Sequence, residues 1–172
     1  MMSSRVLSEK VFLDASGSPC ALDGVLSGIK GYIEKDRAAS YEIVIGSDSQ
    51  ASQSGTALFA TVVLVRRIGN GGIYFWTRTE EKFFSLKDRI WREAMLSITL
   101  AQELRSIIKD SLGEEMLWEG KIEFRCIHLD VGNGGPTSEL IDGICGMVKG
   151  FGFEPVIKPY SYGAFVVADR HT

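Results

Sequence analysis

Tyr41-Glu-Ile-Val-Ile-Gly46 is followed by Ala57-Leu-Phe-Ala-Thr-Val-Val-Leu-Val-Arg-Arg67 and Gly72-Ile-Tyr-Phe-Trp-Thr-Arg-Thr79. These three runs decide the fold class. The first is short, mostly apolar and β-branched, the pattern of a strand covered on both faces. The second and third are joined by Ile68-Gly-Asn-Gly-Gly72, where Asn and Gly tolerate the positive φ of a tight hairpin. The small polar stretch Ser49 to Thr56 is long enough for a second hairpin loop. Three antiparallel strands are therefore expected in succession.

Downstream the period changes. Ile90, Ala94, Ile98, Ala101, Leu104 and Ile108 recur at helical spacing, which predicts a long helix over about Leu86 to Leu112. Ser85 and Asp88 approximate a capping box at its start, and Gly113 stands where it should stop. Lys121 to Asp130 alternates toward a fourth strand, with Ile122, Phe124 and Cys126 set against Glu123 and Arg125. Pro136 opens a helix carrying Leu140, Ile141, Ile144, Met147 and Val148, broken at Gly150 and Gly152. Pro155 to Pro159 reads as a short edge strand and Tyr162 to Asp169 as a last short helix. Upstream, Leu22, Val25, Leu26, Ile29 and Ile33 predict a peripheral helix over residues 22–35, with Gly28 and Gly31 permitting close packing. Residues 1–20 are left as an N-terminal extension.

The expected architecture is one α/β domain over residues 1–172. Its mixed five-stranded sheet has three antiparallel strands, then β-α-β-α, with helices on its faces and an extra N-terminal helix. The first strand would pair in parallel with the fourth across the long helix. The 172 residues carry a net charge of −3, which excludes a polybasic coat for nucleic acid but not a local basic groove. No apolar run is long enough to span a bilayer, so no membrane partner is expected. Three widely spaced cysteines, Cys20, Cys126 and Cys145, form neither a zinc pattern nor a disulfide framework, and suit a reducing cytoplasm.

Four acids sit where chemistry is possible. Asp48 follows the first strand and Asp130 follows the fourth, so parallel neighbours would bring both to one carboxyl edge, about 4.8 Å apart. Glu93 projects from the flank of the long helix's apolar stripe, and Asp169 lies beyond Phe165-Val-Val-Ala168. Singly, each has an ordinary explanation: a turn or cap for the aspartates, a half-exposed flank for Glu93, a solvated tail for Asp169. Together they fit one edge of one topology. Carboxylates this close repel unless a proton or cation lies between them, and oxygen-only ligands favour Mg²⁺ or Mn²⁺.

Other signals are weaker. Ser49 lacks the base and orienting group of a nucleophilic triad. His128 shares a strand face with Asp130, though a satisfied core histidine is the plainer reading. His171, beside Asp169, is a candidate proton shuttle or phosphate contact. Asn133-Gly-Gly with Thr137 places a glycine-rich loop before a helix, a weak phosphate-cradle signal. Arg66, Arg67, Arg78, Lys82, Lys87, Arg89 and Arg92, with Phe75, Trp76 and Trp91 among them, read either as a nucleic-acid face or as a solvated edge.

Ile45-Gly-Ser-Asp-Ser-Gln50, Ile127-His-Leu-Asp-Val-Gly132, Ile157-Lys-Pro159 and Val167-Ala-Asp-Arg-His-Thr172 resemble the YkuK-like family of bacterial proteins, in the ribonuclease H-like superfamily. Superfamily enzymes cut phosphodiester bonds with an acidic cluster and two metal ions. The resemblance implies that Asp48, Glu93, Asp130 and Asp169 are metal-binding and catalytic. Fold is implied more firmly than activity.

The expected function is therefore a metal-dependent nuclease or related phosphodiester hydrolase, with His171 assisting proton transfer and nucleic acid as partner. Two alternatives remain open at this point. One is a non-catalytic module binding nucleic acid or protein. The other is a nucleotide phosphohydrolase, for which Gly46-Ser-Asp-Ser and Asp130-Val-Gly-Asn-Gly-Gly offer a faint likeness to phosphate loops.

Overall fold

The computed structural model describes residues 9–115 and 119–172. A mixed sheet of seven strands runs in the order β2-β1-β5-β4-β3-β6-β7. Its centre is the expected meander: β3 (Tyr41–Ala51), β4 (Thr56–Arg67) and β5 (Gly72–Lys82) pair antiparallel. Helix α2 (Leu86–Leu112) crosses over the sheet, and β6 (Ile122–His128) then pairs in parallel with β3. A short 3₁₀ turn leads into α3 (Ile141–Gly150). β7 (Glu154–Val156) follows, parallel to β6. The chain ends in a π-helical turn, Gly163–Ala168, continued by a 3₁₀ turn, Asp169–His171.

The fold class matches the sequence reading; the strand count does not. The described part of the expected N-terminal extension contributes β1 (Phe12–Asp14) and β2 (Pro19–Cys20), which add to the sheet beyond β5. Strands of three and two residues are too short to show a period, and their register comes from β5, with Leu13 opposite Trp76. β3 is the other correction. It runs on through Ser47, Asp48 and Ser49 to Ala51, leaving only Ser52 to Gly55 as loop. β4 covers the whole length, from Tyr41 opposite Arg67 to Ala51 opposite Ala57, and this pairing overrides the turn preference of Gly-Ser-Asp-Ser.

The two sheet faces are covered differently. On one, α1 (Leu22–Glu34), α2 and α3 bury the main core, including Val25, Ile29, Ile43, Ile45, Ile98, Leu104 and Ile144. Gly28 lets α1 settle onto β5, since a Cβ there would stand 2.6 Å from the Phe75 ring; at Gly31 nothing lies within 4 Å. The α2 start is capped as expected. Ser85 Oγ accepts from the Asp88 N–H at 3.1 Å, and Asp88 Oδ2 accepts from the Phe84 N–H at 3.0 Å. On the other face the C-terminal segment closes a small cluster of Val62, Trp76 and Ala168. No described helix is long and apolar enough to cross a membrane. The three cysteines are free.

Candidate acidic site

The site lies where β3 and β6 part. Their parallel pairing ends with Gly46 opposite His128, but β3 continues. Asp48 and Asp130 each stand two residues beyond that last pair, one still within the sheet and the other past its strand's end. Two backbone bonds hold the Asp130 segment: Leu129 N–H donates to Val156 O at 2.8 Å, and Lys158 N–H donates to Val131 O at 2.9 Å. The second bond also positions Lys158, whose Nζ lies 2.8 Å from Asp130 Oδ1. That contact is an ion pair without hydrogen-bond geometry, so the buried Oδ1 keeps an unused accepting capacity.

Glu93 arrives from α2, and polar contacts fix its place. Ser47 Oγ is 2.8 Å from both Thr61 Oγ1 and Ser97 Oγ, which ties α2 to β3 one helical turn beyond Glu93. Ser49 Oγ donates to Glu93 Oε1 at 2.5 Å. Glu93 is only 5% exposed, so the even choice between flank and site residue resolves toward the interior. Asp169 approaches from the opposite face on the C-terminal segment, where its carboxyl comes within hydrogen-bonding reach of Asp48.

The electrostatics follow from this crowding. Burial, then the Asp130 charge and the nearby Asp169, push the Asp48 carboxyl up to about 7, against the opposing Ser49 N–H. Burial pushes Glu93 up to about 8; the Ser49 hydroxyl and Arg89 oppose that rise, while Asp48 and Asp130 add to it. The structure thus gathers Glu93, Asp130 and Asp169 around Asp48 from separate segments, Asp169 being near Asp48 alone. Among the described residues, no three His, Cys, Asp or Glu side chains are gathered tightly enough to hold a metal ion as they stand.

The histidines lie elsewhere. His128 is 2% exposed, its Nδ1 accepts from the Gly163 N–H at 3.0 Å, and its ring meets Tyr162 edge-on at 4.6 Å. Burial lowers it to about 4, so it is a neutral core histidine. His171 stacks on Trp76 at 4.0 Å, and its backbone carbonyl accepts from Arg78 Nε at 2.5 Å. Burial, Arg78 and Arg170 lower its pKa. The structure does not bring His171 to the acids.

The basic stretch does not form one face. Arg66 pairs with Glu42, Arg67 with Asp36, and Arg92 with both Glu81 and Asp88, while Phe75 and Trp76 are buried. The sequence places Arg89 in the basic stretch and Lys158 in the Ile157-Lys-Pro159 motif, but neither as a neighbour of the acids. No spacing marks Lys158, which acts through a side chain brought in by the far edge of the sheet.

A family model described as Ribonuclease H-like matches residues 24–172. The chain belongs to the ribonuclease H-like family. A further comparison places it with the "Uncharacterized protein YkuK" of Bacillus subtilis (strain 168), 31% identical over 168 residues, covering 94% of this chain and 96% of that protein. No solved structure gives a significant match. Within this ribonuclease H-like domain, the four acids occupy the carboxyl ends of the central parallel pair and the helices on either side of it.

Proposed function

We propose that the protein is a metal-dependent nuclease that hydrolyses phosphodiester bonds in nucleic acid. The observation that carries this reading is the pair of buried carboxyls, Asp48 and Glu93, both held above the ordinary carboxylate range by burial and by neighbouring acids. A fold has little structural use for such a cluster. Removing one member would relieve repulsion. The donor set is all oxygen, and Asp130 Oδ1 has accepting capacity to spare, which suits a hard divalent ion such as Mg²⁺ or Mn²⁺. Mg²⁺ sites commonly keep several waters, so a complete protein cage is not required.

Divalent ions in such a site supply an activated water and neutralise charge on the leaving oxygen. Asp48 and Asp130, at the parted strands, are the residues that would hold them in common. Glu93 and Asp169 would each complete one side. Ser49 keeps Glu93 oriented through its hydroxyl, and Ile90 and Leu129 exclude bulk water from beneath the cluster. Glu93, once it has given up its proton, is the group able to take one from an incoming water.

The second reading is a non-catalytic module that binds nucleic acid, favoured by the Lys158–Asp130 ion pair, which already gives Asp130 a counter-ion. One experiment separates them. Mn²⁺ is titrated calorimetrically into the metal-free protein, and cleavage of single-stranded, duplex and hybrid oligonucleotides is followed with Mn²⁺ and with EDTA. The nuclease reading expects Mn²⁺ binding and EDTA-sensitive cleavage, both lost in Asp48→Asn and Asp130→Asn. Cleavage in EDTA, or wild-type rates in both variants, refutes it. Absence of both Mn²⁺ binding and cleavage leaves the binding module.

A further inference from the structure

Beside the acidic cluster runs a groove of about 670 Å³, bounded by Asp130 at one end. Its walls carry Arg89 and Lys158, and its floor is the loop Asn133, Gly134, Gly135 and Thr137. Three features of this groove point to a ligand, although its cations also touch the acidic site: Lys158 pairs with Asp130, and the charge of Arg89 acts on Glu93. First, it holds two cations in a protein whose net charge is −3, and Arg89 Nε is buried without a hydrogen-bond partner. Second, among the described residues no backbone hydrogen bond is found from the amides of Asn133, Gly134 and Thr137, and a Cβ at Gly134 would meet nothing within 4 Å. The loop is exposed at Asn133, Gly134 and Gly135, so its backbone is accessible to a ligand in the groove. Third, the two most exposed large apolar side chains of the described chain flank this groove in sequence: Phe84, 89% exposed, two residues before the lining residue Leu86, and Tyr160, 76% exposed, directly after the lining residue Pro159.

Cations and an accessible loop backbone call for phosphate. Exposed aromatic rings on residues next to the groove's lining in sequence call for flat, unpaired bases, because a paired and stacked base has no face to offer. A duplex reader of this size would need a wide basic surface, and Arg66, Arg67 and Arg92 are already paired with carboxylates within the fold. The geometry points to this groove as a subsite for single-stranded nucleic acid, with the backbone phosphate next to the cleaved one seated between Arg89 and Lys158 and the adjoining bases stacked on Phe84 and Tyr160. The inference rests on the phosphodiester reading for which phosphate lies over the acids; binding itself requires no metal.

The test measures fluorescence anisotropy of labelled dT12, rU12 and a blunt DNA hairpin against the full chain in EDTA. Both single strands are expected to bind at least tenfold more tightly than the hairpin, and a preference between them identifies the sugar recognised. Phe84→Ala and Tyr160→Ala should each weaken single-strand binding about tenfold, the usual scale of one lost stacked base. With two phosphate contacts, the slope of log affinity against log salt should lie between about −1 and −2, and fall by roughly 0.7 in Arg89→Met. Both aromatics are exposed, so far-ultraviolet circular dichroism should be unchanged in their variants. Equal affinity for hairpin and single strand, wild-type affinity in the double aromatic variant, or no single-strand binding overturns the proposal. Asp48→Asn, run in parallel, keeps the two readings apart. If it binds dT12 normally and cleaves like wild type with Mn²⁺, the acidic mechanism fails and the groove stands. If wild type cleaves only with Mn²⁺ while the double aromatic variant binds normally, the groove fails and the mechanism stands.

Discussion

The two halves of β3 lie under the same β4 and are built of opposite materials. Tyr41 to Ile45 presents Ile43, Val44 and Ile45 with no measurable exposure. Ser47 and Asp48, on the same strand and under the same β4, place a hydroxyl and a carboxyl in the interior, with half-buried Ser49 beside them. The amino half gains stability from every side chain it buries. The carboxyl half spends some of that stability to hold Asp48 and Glu93 against their preference for water. Packing explains the first half completely and the second half only in its hydroxyl contacts. The residue that packing leaves unexplained is therefore the one with a chemical task.

The largest effect that would break this contrast is on turnover. Asp48→Asn and Asp130→Asn are expected to lose at least ~1,000-fold in Mn²⁺-dependent cleavage, since ion-supplied charge stabilisation amounts to several kcal/mol. Ile45→Ala should do the reverse. It should cost about 3–4 kcal/mol of stability in denaturant titration, lowering Tm by roughly 10 °C, with Mn²⁺ affinity kept. If Ile45→Ala removed metal binding and left stability alone, the division of labour along β3 would be mistaken.

His128, opposite Gly46 at the boundary, sharpens the contrast through pH. Its folded pKa of about 4 lies below the ordinary 6.5, so as pH falls the unfolded chain takes up a proton that the folded one refuses. Its contribution to stability is intact above about pH 6.5 and is lost progressively toward pH 4. His128→Asn keeps an acceptor for the Gly163 N–H but cannot titrate. The loss of stability between pH 7 and pH 5 should therefore shrink by about 2 kcal/mol in this variant. Asp48 has the opposite sign. Its folded pKa is raised from 3.8 to about 7, so the penalty is absent below about pH 4 and complete above pH 7. Metal-free Asp48→Asn should melt higher than wild type at pH 8, by about 1–2 kcal/mol after solvent screening, and equally at pH 4. A large fall in melting temperature would mark Asp48 as a structural cap instead.

Much of this arrangement was legible in the chain. Asp48 and Asp130 were identifiable because each follows an apolar run, and parallel pairing of those runs does the rest. Glu93 was legible as an acid beside an apolar stripe, although its Ser49 partner was not, because Ser49 had been assigned to a loop. The extension of β3 is imposed by β4, a partner that local preference does not see. The N-terminal hairpin is too short for periodicity to register. Lys158 and the 3₁₀ turn bearing Asp169 depend on where distant segments pack, which no spacing encodes.

The sheet's outermost strands have a further consequence. An open sheet offers unpaired N–H and C=O groups along both margins, and these can template pairing with another chain. Here one margin is β2, two residues long and beginning with Pro19; the other is β7, three residues long with Pro155 at its centre. Proline has no N–H to give, and ladders this short hold few of the bonds an added strand would need. Growth of this sheet from molecule to molecule is blocked at both margins, so the long, apolar β3 and β4 stay shielded from amyloid-like propagation as long as the domain remains folded.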